Sequence, residues 1–275
     1  IEFHDTIGHR LGPEGHGIRT IIEMVSATRS DCILGSSAIM RKALNEALWH
    51  TQHRSAFGAK LVDKPAMANV LADLAIESEA ATLLGMRLAA AADRPGDEHE
   101  QALRRIGLAI GKFWVCKRTP MMTAEALECL GGNGYIEESG MPLLYRESPV
   151  NSVWEGSGNV NALDALRAIE RSPETLTAWI NEVGSVQGED RRLDAAAKSV
   201  LTESSDMQDA EARARRIASR MAMVLQGVEL LKHSDAATAD AFCASRLGRD
   251  WDGTFGTLPS NTDFKSIIAR ATPVT

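Results

Sequence analysis

The chain contains three stretches of roughly 30 residues in which apolar residues recur every three or four positions, the spacing of one helix face. Helices of this length need one another to bury their apolar faces, so the pattern predicts a helical bundle. Glycine and proline stand between them, as in "FGAKLVDKP" and "GGNGY". The three predicted helices cover residues 18–51, 65–93 and 99–130.

The first of these helices begins after the turn-rich segment "LGPEGHG". Ile18, Ile21, Ile22 and Val25 fall on one side of it. Because such spacing is typical of a packed helix, we expect these four side chains to be buried.

The remainder of the chain also has helical patterns, and only residues 142–153 are compatible with extended structure as well as with a short helix. Alanine and leucine are abundant and aromatic residues make up 5%, a composition that favours helix over sheet. The sequence therefore predicts an all-α fold, a bundle followed by an additional helical region. The further predicted helices cover residues 160–170, 173–186, 190–204, 207–247 and 260–270.

Charge and cysteine content exclude several functional classes. The net charge of −7 gives no overall attraction to nucleic acid or anionic membranes, and no apolar run reaches the roughly 20 residues of a membrane span. The four cysteines have neither CxxC spacing nor an obvious pairing, so neither a metal site nor a disulfide framework is expected. A reducing, cytoplasmic environment fits best.

Three local patterns have simpler explanations than a binding site. "GPEGHG" lacks the GxGxxG order and the βαβ context of a nucleotide loop. His50 and His53 lack the second ExxH pair that a di-iron bundle requires. The basic stretch Glu211–Arg220 is flanked by acids, so a solvated helix face is a better interpretation than a DNA contact.

Three short motifs are more specific in combination than any one alone. They are "HRSAFG" (53–58), "ECLGGNGY" (128–135) and "WEGSGN" (154–159). In this order, in a helical chain, they resemble the acyl-CoA dehydrogenase family. The segments "GPEGHGIRTIIEMVSATRSDCILGSS" and "RESPVNSVWEGSGNVNALDALR" extend the resemblance and are most similar to its AidB-like branch of adaptive-response flavoproteins.

The resemblance implies a domain organisation. In that family an N-terminal helical domain and a middle β-domain precede a four-helix bundle, and the AidB-like branch adds a helical C-terminal region. Residues 1–12 would be the end of the β-domain, with Ile1–Phe3 the tail of a strand. Residues 13–171 would form the bundle and residues 172–275 the extension.

The resemblance also implies a reaction. A carboxylate removes the α-proton of an acyl-CoA thioester while hydride leaves the β-carbon for N5 of FAD. By motif position that base is Glu155. Some family members place the base on the first bundle helix, but the matching residue here is Thr28, which cannot act as one. Arg29 and Trp154 correspond to residues near the acyl substrate, and a buried ion pair is the simpler role for Arg29.

The cofactor contacts implied by the resemblance fall into two sets. Those at the phosphate and adenosine end, some reaching FAD of a neighbouring subunit, imply a homodimer or homotetramer. Near the flavin, Ser157 and Asn159 replace the usual threonine and glutamine, and near the phosphates of the cofactor Glu128 replaces the usual glutamine. The implied FAD contacts are Arg54, Phe57, Glu128, Gly131, Gly132, Ser157 and Asn159.

Two other functions stay open. The AidB-like branch is associated with DNA, so the chain could belong to a flavoprotein that protects DNA from alkylation, with weak or vestigial dehydrogenation. Residues 171–275 carry 13 basic and 15 acidic side chains, which does not favour strong duplex binding. A third alternative is a helical assembly domain without catalysis.

Overall fold

The computed structural model of the chain describes residues 1–206 and 208–273, and its described part is almost entirely helical. The helices of the bundle are long, and one two-stranded antiparallel hairpin interrupts them. The elements of this half are α1 (Gly17–His53), β1 (Ser55–Ala56), β2 (Ala59–Lys60), α2 (Pro65–Ala92), α3 (Glu98–Cys129), α4 (Gly132–Tyr135), α5 (Met141–Glu147) and α6 (Gly158–Arg171).

Local sequence sets the helix boundaries as predicted in this half. Pro65 is the first residue of α2, where its missing N–H has no consequence. Asp97 caps α3, since its Oδ1 accepts hydrogen bonds from the N–H groups of His99 and Glu100. Gly131 follows the end of α3 with a φ of 59°, a positive value that glycine adopts without strain. Short 3-10 turns at Leu61–Asp63, Glu137–Ser139 and Val150–Ser152 connect the helices.

The second half of the chain forms the extension, and one of its predicted helices is wrong. The helix predicted over 207–247 ends at His233, because Asp235 caps a new helix by accepting from the N–H groups of Ala237 and Thr238. Met207 lies outside the described residues. The extension consists of α7 (Pro173–Gly184), α8 (Arg191–Ser205), α9 (Ala210–His233), α10 (Ala236–Phe242), a π-helical turn (Cys243–Leu247) and α11 (Phe264–Ala271).

Bundle and extension share one hydrophobic core. Helix α9 packs against α2, α3 and α6, and α7 packs against α3. Two tryptophans connect these helices: Trp179 donates its indole N–H to the carbonyl of Met221, and Trp114 donates to the side chain of Gln226. The apolar cluster therefore continues without a break across residue 171.

The predicted burial of the first turns of α1 is wrong. Ile18, Ile21 and Ile22 are 79%, 50% and 55% exposed, and Val25 is only partly buried. The buried face of α1 begins at Cys32, where α2 and α3 cover it. No described element packs over the first two turns, although their apolar spacing is typical of a covered surface.

The predicted strand at Ile1–Phe3 is also absent. Residues 1–11 have no regular secondary structure and are exposed. A strand must pair its backbone N–H and C=O groups with a neighbour, and no described segment lies beside these residues as a partner.

The described residues contain neither a membrane-spanning helix nor a cluster of metal-ligating side chains. No described helix has both the length and the apolar composition needed to cross a bilayer. No three His, Cys, Asp or Glu side chains in the described part lie close enough to share a metal ion.

Candidate active site

Glu155 lies in the tight loop that joins the 3-10 turn Val150–Ser152 to α6. Its φ is 56°, and Gly156 follows with a φ of 97°, so two successive residues have left-handed backbone conformations. For glycine this conformation is unstrained, but for glutamate it costs roughly 1–2 kcal/mol. The Glu155 side chain is half-buried. Surrounding contacts must therefore hold a backbone that the residue itself disfavours.

Two cations supply those contacts by donating to three consecutive carbonyl groups. Lys112 Nζ lies 2.6 Å from the carbonyl oxygen of Trp154 and 2.6 Å from that of Gly156. Arg29 Nε donates to the carbonyl oxygen of Glu155 at 3.1 Å. Asn161 adds a side-chain hydrogen bond of 2.5 Å to the Gly156 carbonyl. The loop backbone is thus fixed on both sides of the candidate base.

Sequence reasoning missed Lys112, whose side chain is 1% exposed. Burial is the main cause that lowers the pKa of its amine. A signal was present: Lys112 comes four residues after Leu108 and four before Cys116, on the apolar face of α3. A lone lysine in an apolar stripe must find polar partners, and the two carbonyls of the Glu155 loop are those partners.

Arg29 forms the ion pair that sequence reasoning considered its simpler role. Its Nη1 lies 2.7 Å from Asp164 Oδ2, and Arg105 binds the same carboxylate with both Nη atoms. Burial raises the pKa of Asp164, but the hydrogen bonds and charges of Arg105 and Arg29 outweigh it and hold that pKa below its usual range. Arg29 also lines a cavity of about 410 Å³ together with Ile22. A direct contact of Arg29 with substrate stays a prediction.

Trp154 and Asn159 extend the site on the solvent side. Trp154 is 53% exposed, with its indole N–H donating to Asn151 Oδ1 at 3.1 Å. Asn159 is exposed near the start of α6, after Ser157, which precedes the helix as its N-cap residue. Arg215, which sequence reasoning did not single out, reaches from α9 to place its Nη1 3.4 Å from Asn159 Oδ1.

A second group of predicted residues meets at the other end of α3. Arg54, Glu128, Gly131 and Gly132 line one open cavity of about 450 Å³. Phe57 lies nearby in sequence, at the tip of the β1–β2 hairpin, with its ring 94% exposed. The structure therefore brings four of the five predicted phosphate- and adenosine-end residues into one cavity, with the fifth on the adjoining hairpin.

The residues of this cavity fit the phosphate groups of a dinucleotide. Arg54 forms no ion pair with a described carboxylate. Burial is the main cause that lowers the pKa of neighbouring His50, and the charge of Arg54 lowers it further. A Cβ added to Gly132 would meet no atom within 4 Å, so a ligand can approach the backbone closely there. Glu128, which is exposed in the same cavity, is the one group whose charge opposes an anion.

The two groups lie far apart. Lys112, beside the Glu155 loop, and Glu128 are 16 positions apart on α3, which corresponds to about 24 Å at 1.5 Å per residue. They line different surfaces of the described chain. An extended ligand would be needed to contact both.

Comparison with known proteins identifies the family of the chain. Residues 15–170 match the family model "Acyl-CoA dehydrogenase, C-terminal domain". AidB of Escherichia coli (strain K12) is 41% identical over 272 residues, which is 99% of this chain and 49% of that protein. Acyl-CoA dehydrogenase family member 11 of Caenorhabditis elegans is 30% identical over 262 residues, 85% of this chain and 42% of its own length. The chain thus spans about half the length of these curated relatives.

Solved structures share the fold. ACDH-11 of Caenorhabditis elegans in complex with C11-CoA has a TM-score of 0.77 at 24% identity, over 95% of this chain and 48% of that one. An acyl-CoA dehydrogenase from Bacillus anthracis complexed with FAD has a TM-score of 0.68 at 15% identity, over 96% and 55% of the two chains. The all-α fold and the resemblance that the three motifs carried are confirmed: the chain belongs to the acyl-CoA dehydrogenase family.

Proposed function

We propose that this chain is the C-terminal part of an FAD-dependent, acyl-CoA dehydrogenase-like oxidoreductase in which Glu155 is the catalytic base. One observation carries the proposal: Glu155 keeps an unfavourable left-handed backbone that Lys112 and Arg29 hold through three consecutive carbonyl contacts. Glycine would satisfy the same turn without strain, so the carboxylate itself is the reason for a glutamate there.

The proton transfer assigned to Glu155 requires a positioned carboxylate and an activated substrate. A thioester α-C–H becomes acidic enough only when hydrogen bonds polarise the carbonyl, and each well-placed donor contributes several kcal/mol. A fixed loop can present both the Glu155 side chain and its backbone N–H to one acyl group. Trp154, half-exposed beside Glu155, would contact the acyl chain, and Arg29 would act mainly by positioning the loop.

FAD, when bound, would accept the hydride that leaves the β-carbon. Arg54 and the backbone at Gly131 and Gly132 would hold its phosphates, since the guanidinium supplies a positive charge and the two glycines leave the backbone open to a ligand. Ser157 and Asn159, which lie just after Glu155, would face the ring end of the cofactor. The name of the worm relative and the C11-CoA complex support acyl-CoA as the substrate class.

A homodimer or homotetramer follows from the same assignment. Phe57 is 94% exposed at the tip of a hairpin, where Lys64 donates to its carbonyl at 2.8 Å and helps to hold the turn. An apolar ring held in place in this way can pack against a neighbouring chain without a further cost of ordering it. Phe57 would pack near the adenosine end of FAD in a neighbouring subunit.

The alternative function, DNA protection, receives less support from the described contacts. Arg216 and Arg220 both form ion pairs with Glu203, and Arg213 lies 3.4 Å from Asp206. A basic stretch whose charges are paired contributes little to phosphate binding.

The deciding experiment is anaerobic titration of the full-length flavoprotein with acyl-CoAs. We expect wild type to lose its oxidised-flavin absorbance and Glu155→Gln to keep it, because the amide cannot accept the α-proton. Glu147→Gln, which changes an exposed acid at the end of α5, is the matched control and should bleach like wild type. Equal bleaching of Glu155→Gln and wild type would contradict the assignment of the base.

A further inference from the structure

A cavity in the extension lies outside the proposed active site. It has a volume of about 600 Å³ and lies between α8, α9 and the π-helical turn Cys243–Leu247. None of its lining residues belongs to the Glu155 loop or to the Arg54 cavity. The volume is within the range of small-molecule binding sites.

Every charged side chain that lines this cavity is an arginine. Three of them are neutralised by acids that do not line it. Arg191 and Arg249 are exposed and form no ion pair with a described residue, so their charges are available to a ligand. The neutralised arginines are Arg192 (Asp190 and Asp240), Arg220 (Glu203) and Arg246 (Asp73 and Glu77).

The rest of the wall is largely apolar. Ala196 and Val200 contribute from α8, Met223 from α9 and Leu247 from the π-helical turn. A free inorganic anion would gain nothing from these side chains. A ligand with an apolar chain would bury it against them, at about 25 cal/mol per Å² of apolar surface.

The backbone beside the cavity is unusual. Arg249 has a φ of 64°, a left-handed backbone conformation that residues other than glycine rarely adopt. The neighbouring Gly248 does not take this conformation in its place. The π-helical turn that leads into it is itself a rare conformation, frequent at functional sites. The chain thus keeps an arginine where glycine would be less strained, and a role for the guanidinium explains why.

We propose that this cavity binds a small amphiphile, an oxyanion head on a short apolar chain. Arg191 and Arg249 would bind the head group, and Met223 and Leu247 would contact the chain. Carboxylate and phosphate heads share the chemistry that a guanidinium recognises. The inference does not depend on the proposed dehydrogenase reaction.

The test is isothermal titration calorimetry of the complete chain with decanoate, decyl phosphate and decanol. We expect one site for at least one anionic ligand and much weaker binding of decanol; the preferred anion shows whether a carboxylate or a phosphate head is used. Arg191→Gln and Arg249→Gly should each weaken that binding at least about fivefold. Lys198→Gln removes an exposed charge from α8 outside the cavity and should bind like wild type.

Arg249→Gly separates binding from folding. Glycine suits the left-handed backbone, so this variant should unfold at the same or a higher temperature while it loses affinity. Glu155→Gln should leave the binding intact, because Glu155 does not line this cavity.

Three results would overturn the proposal. The first is equal affinity for decanol and the anions. The second is unchanged binding of the anions by Arg249→Gly and Arg191→Gln. The third is binding of duplex DNA that these two substitutions weaken, with no measurable binding of either anionic amphiphile, which would make the arginines part of a nucleic-acid surface.

Discussion

Glu155 combines a strained backbone with a half-buried carboxylate. The residue that the proposed reaction needs therefore lowers the stability of the fold, and this cost can be measured. We expect Glu155→Gly to raise the free energy of unfolding by about 1 kcal/mol, because glycine removes the left-handed strain. Chemical denaturation measures this change. Glu155→Ala removes the carboxylate but keeps the strain, so it should give no such gain, and an equal gain in both variants would contradict the strain argument.

Lys112 gives the second prediction at this scale. Lys112→Met keeps the length of the side chain but leaves the carbonyl of Trp154 without a donor and the carbonyl of Gly156 with Asn161 alone. We expect a loss of about 1–3 kcal/mol in the free energy of unfolding, the cost of one buried carbonyl left unpaired. Lys117→Met, on an exposed face of the same helix, should change it by less than about 0.5 kcal/mol. A loss no larger than in this control would show that the two contacts do not stabilise the loop.

The candidate site was only partly predictable at the scale of residues. Arg54, Glu128, Gly131 and Gly132 came from contiguous motifs, and the structure places them in one cavity. Arg215 could not be predicted, because its contact with Asn159 depends on how α9 docks against α6, which sequence spacing does not contain.

At the scale of elements, α9 carries a buried acid whose ionisation is unfavourable. Burial is the main cause that raises the pKa of Glu229 to about 7, and the charge of Glu182 adds to it while Lys232 and Arg87 oppose it. His233 faces the same carboxylate at 3.6 Å. The pKa of Glu229 in the folded state exceeds the usual 4.5. Protonated Glu229 therefore contributes fully to the stability of the fold below about pH 4.5, and this contribution is lost as the pH rises through 7.

The raised pKa of Glu229 predicts how the stability of Glu229→Gln depends on pH. Glutamine resembles the protonated acid and has no charge to bury, so the variant should be more stable than wild type at pH 8 by roughly 1–3 kcal/mol. At pH 4.5 the two should differ little. Urea unfolding at both values measures the difference, and Glu211→Gln, an exposed acid on the same helix, should show no such pH dependence. A difference that does not grow between pH 4.5 and pH 8 would contradict the assignment.

Helices were predictable where the apolar periodicity stops at a proline or glycine that begins or ends a helix. The three long helices followed from their spacing, with Pro65 and Gly131 at their ends. The break at Asp235 was missed because the apolar spacing continues through it. An aspartate that can cap a new helix is a weaker signal in the sequence than a continuing apolar period. The burial of Ile18 and Ile21 was predicted wrongly because a periodic face shows that a helix has a covered side, not which element covers it.

At the scale of the whole molecule, buried charges connect the extension to the bundle. Arg246, after α10, pairs with Asp73 and Glu77 on α2, and Arg118 on α3 pairs with Glu77 at 2.9 Å. Burial raises the pKa of Glu77, but the two arginines outweigh it and lower that pKa to about 2. Removing one member of such a cluster leaves an uncompensated buried charge, so neither half tolerates the loss of the other.

The shared core predicts one cooperative unfolding transition for residues of both halves. Trp179 in α7 and Trp114 in α3 both contact α9, so α9 cannot leave without exposing apolar surface on the bundle. Differential scanning calorimetry should give a single peak whose calorimetric and van't Hoff enthalpies agree. Two separable peaks, with that of the extension abolished by a mutation at Arg246, would show that the extension folds independently.

Because α9 buries its side chains in the same apolar cluster as α2, α3 and α6, the extension is not an interchangeable module. A larger or smaller side chain on one side of this contact requires a matching change on the other, so each half constrains the sequence of the other. Transplanting the extension onto the bundle of another family member would succeed only if Asp73, Glu77 and Arg118 were carried with it.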